Sequence, residues 1–275
     1  MKLTVLVDNT TNTRDLKAES GFSLYIEEQD TRIVFDTGCS TLFMENAHKL
    51  GIDLLKANYI ILSHGHYDHT WGLKHLLAMH KNQNSKPATK PIVLTHPLSF
   101  NQRRRDNLEM GLDVTEAQLM DCFSIQKSKD PVWLTDKLVF LGEIKRTFSY
   151  EGNHTIGQIM KDDISMPDSM EDDTALAYKS SQGLIIITGC SHSGICNIVE
   201  QAKAICQDDR VLTVIGGLHL RKPPKEQLTN TISYLKQAQL TSLYTCHCTD
   251  QPSRIALAEL GNLQETSVGL TIEYK

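Results

Sequence analysis

The chain has 275 residues, 40% of them hydrophobic, 22% charged, and a net charge of −5 with histidine neutral. This is enough apolar material for a sizeable core, and the balance excludes general disorder and argues against a broad nucleic-acid footprint. No apolar stretch reaches the length of a membrane helix, the opening strand-like run ends at Asp8 and Asn9, and the seven cysteines show no repeated C-x-x-C spacing, so a reduced, cytoplasmic protein with neither membrane nor nucleic-acid partner is expected.

Leu3 to Val7 is predicted as a strand. Phe22 to Ile26 and Thr31 to Phe35 are two more, joined by the polar turn Glu28-Gln29-Asp30, and Asp36-Thr37-Gly38 ends the third. Thr41 to Leu50 has helical spacing closed by Gly51, Tyr59 to Leu62 reads as a buried strand, Gly72 to His80 as a helix and Pro91 to Thr95 as a strand. Residues 99–173 are polar and less regular, with strand-like pieces such as Lys137 to Leu141 and two stretches, Met160 to Asp163 and Met166 to Asp173, that read as solvated loop. A long irregular segment inside a folded protein is commonly a lid, and that role is expected here. Regular patterning then returns: a hairpin over Thr174 to Lys179 and Gly183 to Thr188, a helix over Ile198 to Cys206, a strand over Arg210 to Ile215, a helix over Lys225 to Ala238, a strand over Thr241 to Cys246, and a helix over Ser253 to Leu260. With no Gly-, Ser- or Pro-rich linker between the halves, a single domain over 1–275 of α/β class (α+β in some schemes) is expected, its sheets covered by helices.

The densest chemistry lies at Ser63-His64-Gly65-His66-Tyr67-Asp68-His69. Residues two apart in extended chain face one side, so His64 and His66 can grip one ion, with Gly65 allowing a tight turn. Asp68 and His69 then point toward a second position. Imidazole nitrogen and carboxylate oxygen are ligands for borderline divalent metals such as zinc. Three later histidines also follow apolar strands: His192 in Gly189-Cys190-Ser191-His192, His219 in Gly216-Gly217-Leu218-His219, and His247 in Cys246-His247-Cys248. Strand ends are where open α/β sheets place their sites, and four such ends in one sheet would converge. His48, His75 and His80 sit on helical stretches, His154 lies in the irregular segment and His96 precedes Pro97; none of these is assigned a role. Arg103-Arg104-Arg105 reads as a solvated helix face, or alternatively as an anion-binding run.

The order and spacing of His64-x-His66-x-Asp68-His69 after a hydrophobic strand resemble the metallo-β-lactamase-fold superfamily, as does Phe35-Asp36-Thr37-Gly38. Gly189-Cys190-Ser191-His192-Ser193-Gly194, Gly216-Gly217-Leu218-His219-Leu220 and His247-Cys248-Thr249 resemble the branch named after dihydropterin–ribofuranosylaminobenzene phosphate synthase. The resemblance implies a four-layer αββα sandwich and two divalent metal ions, zinc first, with iron, manganese or magnesium as alternatives. It implies His64, His66 and His192 on one ion and Asp68, His69 and His247 on the other. His219 competes with His247 or contacts substrate. Cys190 stands where relatives carry a bridging aspartate, so it is an alternative ligand to His192. Asp36 is a candidate for fixing a ligand imidazole, and Trp71 stands where relatives carry a small residue, either narrowing the site or packing.

The activity so implied is metal-dependent hydrolysis, with metal-activated hydroxide attacking an ester, lactone or phosphoester-type small molecule, including an anionic, pterin-related phosphate compound, and with Asp68 moving a proton. The alternatives are a synthase-like transferase with a diphosphate leaving group, an iron-dependent redox enzyme, and a non-catalytic metal-binding sensor.

Overall fold

In a computed structural model, which describes residues 1–83 and 89–274, the chain divides into two compact units. The first comprises Met1–Ser128, Ile156–Asp168 and Ser267–Tyr274; the second comprises Lys129–Thr155 and Ser169–Thr266. Among the described residues no helix is long and apolar enough to cross a membrane.

The first unit begins with an antiparallel meander of β1 (Lys2–Val7), β2 (Ser23–Glu28) and β3 (Thr31–Phe35). The sheet then switches to parallel pairing through β4 (Tyr59–Ile61) and β5 (Ile92–Thr95). Helices α1 (Leu42–Lys49), the single turn α2 (Tyr67–Thr70) and α3 (Leu73–Lys81) fill these connections. Apolar residues at helical spacing on α1 and α3, including Phe43, Leu73, Leu76 and Leu77, pack with Ile60, Leu62 and Val93 of the sheet. Beyond β5 comes a short hairpin, β6 (Arg103–Arg105) and β7 (Leu108–Glu109), then α4 (Glu116–Leu119), which a capping box at Thr115 and Gln118 begins, and β8 (Ser124–Lys127), which extends the parallel edge beside β5.

The chain next contributes β9 (Val132–Trp133) and β10 (Leu138–Phe140) to the second unit. It returns to the first for a hairpin of β11 (Gln158–Lys161) and β12 (Ile164–Pro167), which pairs with β6 to make a separate four-stranded sheet. The stretch 99–173 is therefore more regular than its polarity suggests, and the two segments read as solvated loop are corrected. Gln158–Lys161 and Ile164–Pro167 form the hairpin, while Asp168, Met170, Asp172 and Asp173 are buried. Buried charges whose partners are distant in the chain leave no apolar signature in a sequence. The arginine run is likewise on a strand rather than a helix face: Arg103 is 1% exposed and its Nε donates to Asp168 at 2.7 Å, whereas exposed Arg104 pairs with Glu109 at 2.6 Å.

The second unit is built on β13 (Ala175–Ser180), β14 (Gly183–Thr188), β15 (Val211–Gly216), β16 (Ser242–Thr245) and β17 (Leu263–Gln264), with β13–β14 antiparallel and β14 to β17 parallel. Every residue of β14 is buried, which explains its unbroken apolar run. Helices α5 (Ile195–Cys206), α6 (Lys225–Ala238) and α7 (Gln251–Leu257) complete this unit, with Ile195, Ile198, Val199 and Ala202 of α5 in its core. Helix α5 starts three residues earlier than its apolar spacing predicts. The start is set by a distant residue: the Glu151 carboxylate accepts from Asn197 N at 2.7 Å, and burial raises its pKa. The final strand, β18 (Thr271–Glu273), pairs with β1 in the first unit. One further expectation fails. The strand before His64 lies in the first unit's sheet, while those before His192, His219 and His247 are β14, β15 and β16 of the other sheet. An apolar run states that a strand is buried, not which strand it pairs with.

Removing the Asp168 carboxylate strands a buried guanidinium. Asp168→Ala is expected to lower unfolding free energy by about 3–5 kcal/mol in urea titrations, while Arg104→Ala, on the surface, changes it by less than about 0.5 kcal/mol.

Candidate metal centre

Strands β3 and β4 are parallel neighbours, with Phe35 opposite Ile61, so both deliver the residues that follow them to the same edge of the first sheet. Asp36 follows β3 in left-handed backbone (φ 57°) and is fully buried. Its Oδ1 accepts from Ser63 N at 2.7 Å, and its Oδ2 accepts from Ser63 Oγ at 2.7 Å and lies 2.7 Å from His69 Nδ1. Ser63 Oγ is in turn 2.9 Å from His64 Nδ1.

These contacts fix the tautomers. A carboxylate only accepts, so His69 carries its proton on Nδ1; Ser63 spends its proton on Asp36, so it accepts from Nδ1 of His64. The lone pairs of both rings are thereby on Nε2, the state a metal ligand needs. His64 Nε2 lies 3.2 Å from His66 Nδ1, and the His64 and His69 ring centroids are 4.3 Å apart. Two imidazole nitrogens on a tetrahedral zinc are about 3.3 Å apart, given Zn–N near 2.05 Å. The buried donor set therefore fits a divalent cation.

The backbone of this segment is pinned as well. Thr37 donates to the His69 carbonyl from N (2.7 Å) and Oγ1 (3.1 Å), Phe22 N to the Asp68 carbonyl at 3.2 Å, and Thr70 Oγ1 to the His66 carbonyl at 2.9 Å. Asp68 sits on α2 beside His69 and is half-buried. Gly65 plays a different part from the tight turn expected of it. It has no positive φ, and a side chain there would run into the Arg103 guanidinium and the Ser99 carbonyl, so its value is the space it leaves. Trp71 packs: its indole donates to the Gly111 carbonyl at 2.7 Å and its ring lies 5.2 Å from that of Tyr67. His96 accepts from Leu98 N at 3.2 Å, and His80 packs edge-on against Phe123.

In the second unit, β14, β15 and β16 run parallel, so the segments carrying Cys190 and His192, His219, and His247 and Cys248 all leave the same edge of that sheet. Gly217 N donates to the Gly189 carbonyl at 2.9 Å, Ser191 Oγ to the Gly217 carbonyl at 2.7 Å, and Cys246 N to the Gly216 carbonyl at 3.1 Å. Ser191, His219 and His247 all hold left-handed backbone (φ 58°, 47° and 49°), a conformation that costs about 1–3 kcal/mol per residue outside glycine and clusters at functional sites. The His192 and His219 ring centroids are 4.3 Å apart.

His154, to which its sequence context assigns no role, joins them. Its ring stacks on His219 at 4.7 Å and 7° and lies 6.2 Å from His192. Burial, then the neighbouring His219 and Arg146, lower its pKa to about 4, so it is a neutral imidazole at physiological pH. No local pattern marks it; its loop is held by the packing of Gly152 against the Ser193 carbonyl and by the Glu151–Asn197 and Arg146–Gly152 hydrogen bonds. Cys190, His219 and Cys248 form a second group, their ligand atoms all within 4.8 Å of one another. Burial alone would raise the Cys248 thiol, but contacts with Cys190 and His219 and the nearby His247 hold it well below the ordinary value.

Residues 16–160 match the family model of the metallo-β-lactamase superfamily, more than half of the chain. The chain belongs to the metallo-β-lactamase superfamily. Within it, the chain is 32% identical to the 7,8-dihydropterin-6-methyl-4-(β-D-ribofuranosyl)-aminobenzene-5′-phosphate synthase of Methanocaldococcus jannaschii, over 84% of this chain and 81% of that one. It is 31% identical to an uncharacterized protein of the same organism, over 98% of each. A crystal structure described as a metal-dependent hydrolase of the β-lactamase superfamily superposes with a TM-score of 0.84 at 26% identity, covering 100% of this chain and 99% of that one. The mixed α/β architecture, a seven-stranded sheet in each unit, is the metallo-β-lactamase fold.

Asp36 orients His69 directly and His64 through Ser63. Asp36→Ala is expected to weaken zinc retention by about 10- to 100-fold in chelator competition, with the circular dichroism spectrum unchanged.

Proposed function

We propose that this superfamily member is a metal-dependent hydrolase of an anionic small molecule carrying an ester, lactone or phosphoester group, pterin-related phosphate compounds included. The metal ligands we assign within the first unit are His64, His66, Asp68 and His69, and those within the second are His192 and His247, with divalent ions, zinc foremost, as their cargo. The observation that carries this reading is the Asp36–Ser63 pair, which turns the Nε2 lone pairs of His64 and His69 outward from a buried hydrogen-bond network.

Bound to such donors, divalent cations supply Lewis acidity and lower the pKa of water. The protein supplies the rest. Asp68 is a half-exposed carboxylate on α2, next to His69 and able to take up and return a proton. Substrate recognition is favoured by a cavity of about 500 Å³ in the second unit, lined by His154, His219, Asn153, Arg221 and Lys222. The guanidinium and ammonium suit phosphate or carboxylate, and the neutral His154 ring offers a stacking surface to a planar heterocycle. Arg221 and Lys222 thus replace Arg103, whose guanidinium is taken up by Asp168. The hairpins β6–β7 and β11–β12 are the part of 99–173 that we propose as a lid.

A second reading, transfer rather than hydrolysis, is favoured by the 32% identity to the synthase. In it Arg221 and Lys222 would steady a departing diphosphate.

A screen of the metal-loaded protein across phosphoesters, lactones and pterin diphosphates separates the two. Hydrolysis that disappears with chelator and in His66→Ala supports the first. Consumption of a pterin diphosphate only when an aminobenzene acceptor is added supports the second. Turnover undiminished in His66→Ala overturns both. Arg221→Ala is expected to raise KM for an anionic substrate roughly tenfold, equivalent to about 1.4 kcal/mol, with kcat little changed.

A further inference from the structure

The three segments leaving β14, β15 and β16 carry a group of donors unlike the histidine–aspartate set above. Cys190 is buried, and its sulfur, the Cys248 sulfur and a ring nitrogen of His219 all lie within 4.8 Å of one another. On a tetrahedral zinc, two thiolate sulfurs are about 3.8 Å apart and a sulfur–nitrogen pair about 3.5 Å, from Zn–S near 2.3 Å and Zn–N near 2.0 Å.

The surrounding backbone makes room for sulfur. A Cβ at Gly217 would collide with the Cys248 sulfur and come within 2.7 Å of the Gly189 carbonyl, so only glycine leaves the thiol its place. The amide of His219 donates to Cys248 Sγ at 3.2 Å, the kind of N–H···S bond that steadies a thiolate ligand. Leu218 N donates to Thr249 Oγ1 at 3.1 Å, which locks the His219 segment to the Cys248 segment. Nδ1 of His219 is buried and has no hydrogen-bond partner. An unsatisfied buried acceptor or donor is destabilising, and a ligand at this position removes that cost.

We propose that Cys190, His219 and Cys248 form a thiolate-rich metal site within the second unit, taking zinc or ferrous iron and additional to the histidine–aspartate ligand set. Two sulfurs and one imidazole select soft and borderline cations over magnesium or manganese. Three protein ligands leave a fourth position open to water or to a donor atom of a small molecule. On binding, each thiol gives its proton to solvent, so the two sulfurs bring two negative charges to a divalent ion and the site is neutral.

X-ray absorption on the zinc-loaded full chain, kept reduced, tests this. Sulfur scatterers at about 2.3 Å are expected in the wild type and in His66→Ala, which separates this site from the proposed hydrolytic one. Cys248→Ser is expected to remove one zinc equivalent and reduce the sulfur shell, and Cys190→Ser with Cys248→Ser to abolish it. A purely nitrogen and oxygen shell in the wild type overturns the proposal. So does a sulfur shell that Cys248→Ser leaves unchanged, which would place Cys190 alone on one of the other ions. An independent measurement on the unmutated protein guards against misfolded variants. Zinc is expected to protect two thiols from alkylation, and a chelator to re-expose them; equal alkylation with and without zinc also overturns the site.

Discussion

Asp36 is a carboxylate with no exposed surface, placed at the end of β3 and meeting Ser63 and His69 through both of its oxygens. Burying an anion is costly unless hydrogen bonds replace its water, and here an amide, a hydroxyl and an imidazole N–H do so. The same bonds determine which nitrogen of each imidazole is free. His64, His66 and His69 stand nearly in contact; without orientation from behind, their lone pairs would turn to whatever donor was nearest. The order of β3 beside β4 is what makes this possible, because it sets Asp36 and Ser63 at one sheet edge.

The second unit solves the same problem with strained backbone instead of a buried anion. Ser191, His219 and His247 each hold positive φ, and Gly216 lies so close to Thr188 that a side chain there would strike its carbonyl. Conformations of this kind persist only where the surroundings over-determine them. The surroundings are the fully buried β14 and its parallel neighbours, whose ladder and cross-loop hydrogen bonds hold three chain segments at a single edge. Rigid strands thus carry irregular ends rich in histidine and cysteine, as open α/β sheets commonly do where they place their sites.

Membership of the metallo-β-lactamase superfamily sets the architecture but not the reaction, since one fold hosts many chemistries. What narrows the reaction is local. The anionic, planar substrate proposed above rests on a cavity that bears Arg221 and Lys222 beside a neutral His154, in a part of the sequence without a recognisable signature. Arg103, the most conspicuous cation in the sequence, does architectural service instead, filling the space that Gly65 leaves and neutralising Asp168.

The sequence by itself determined the elements with strong periodicity and the residue types that gather in the candidate metal centre. The run through β14, the helical spacing of α3 and α6, and the cluster from His64 to His69 are all local patterns, and local patterns report which residues are buried and which chemistry they carry. Only the tertiary structure decided the partners. It separated β4 from the sheet of β14 to β16, put Asp36 on His69 across 33 positions of chain, stacked His154 on His219, and sank Arg103 beside Asp168. Each of these is a contact between residues remote in sequence. A one-dimensional pattern carries the burial of a side chain but not the identity of what it is buried against, because many partners satisfy the same hydrophobic or polar demand and only the packed chain selects one.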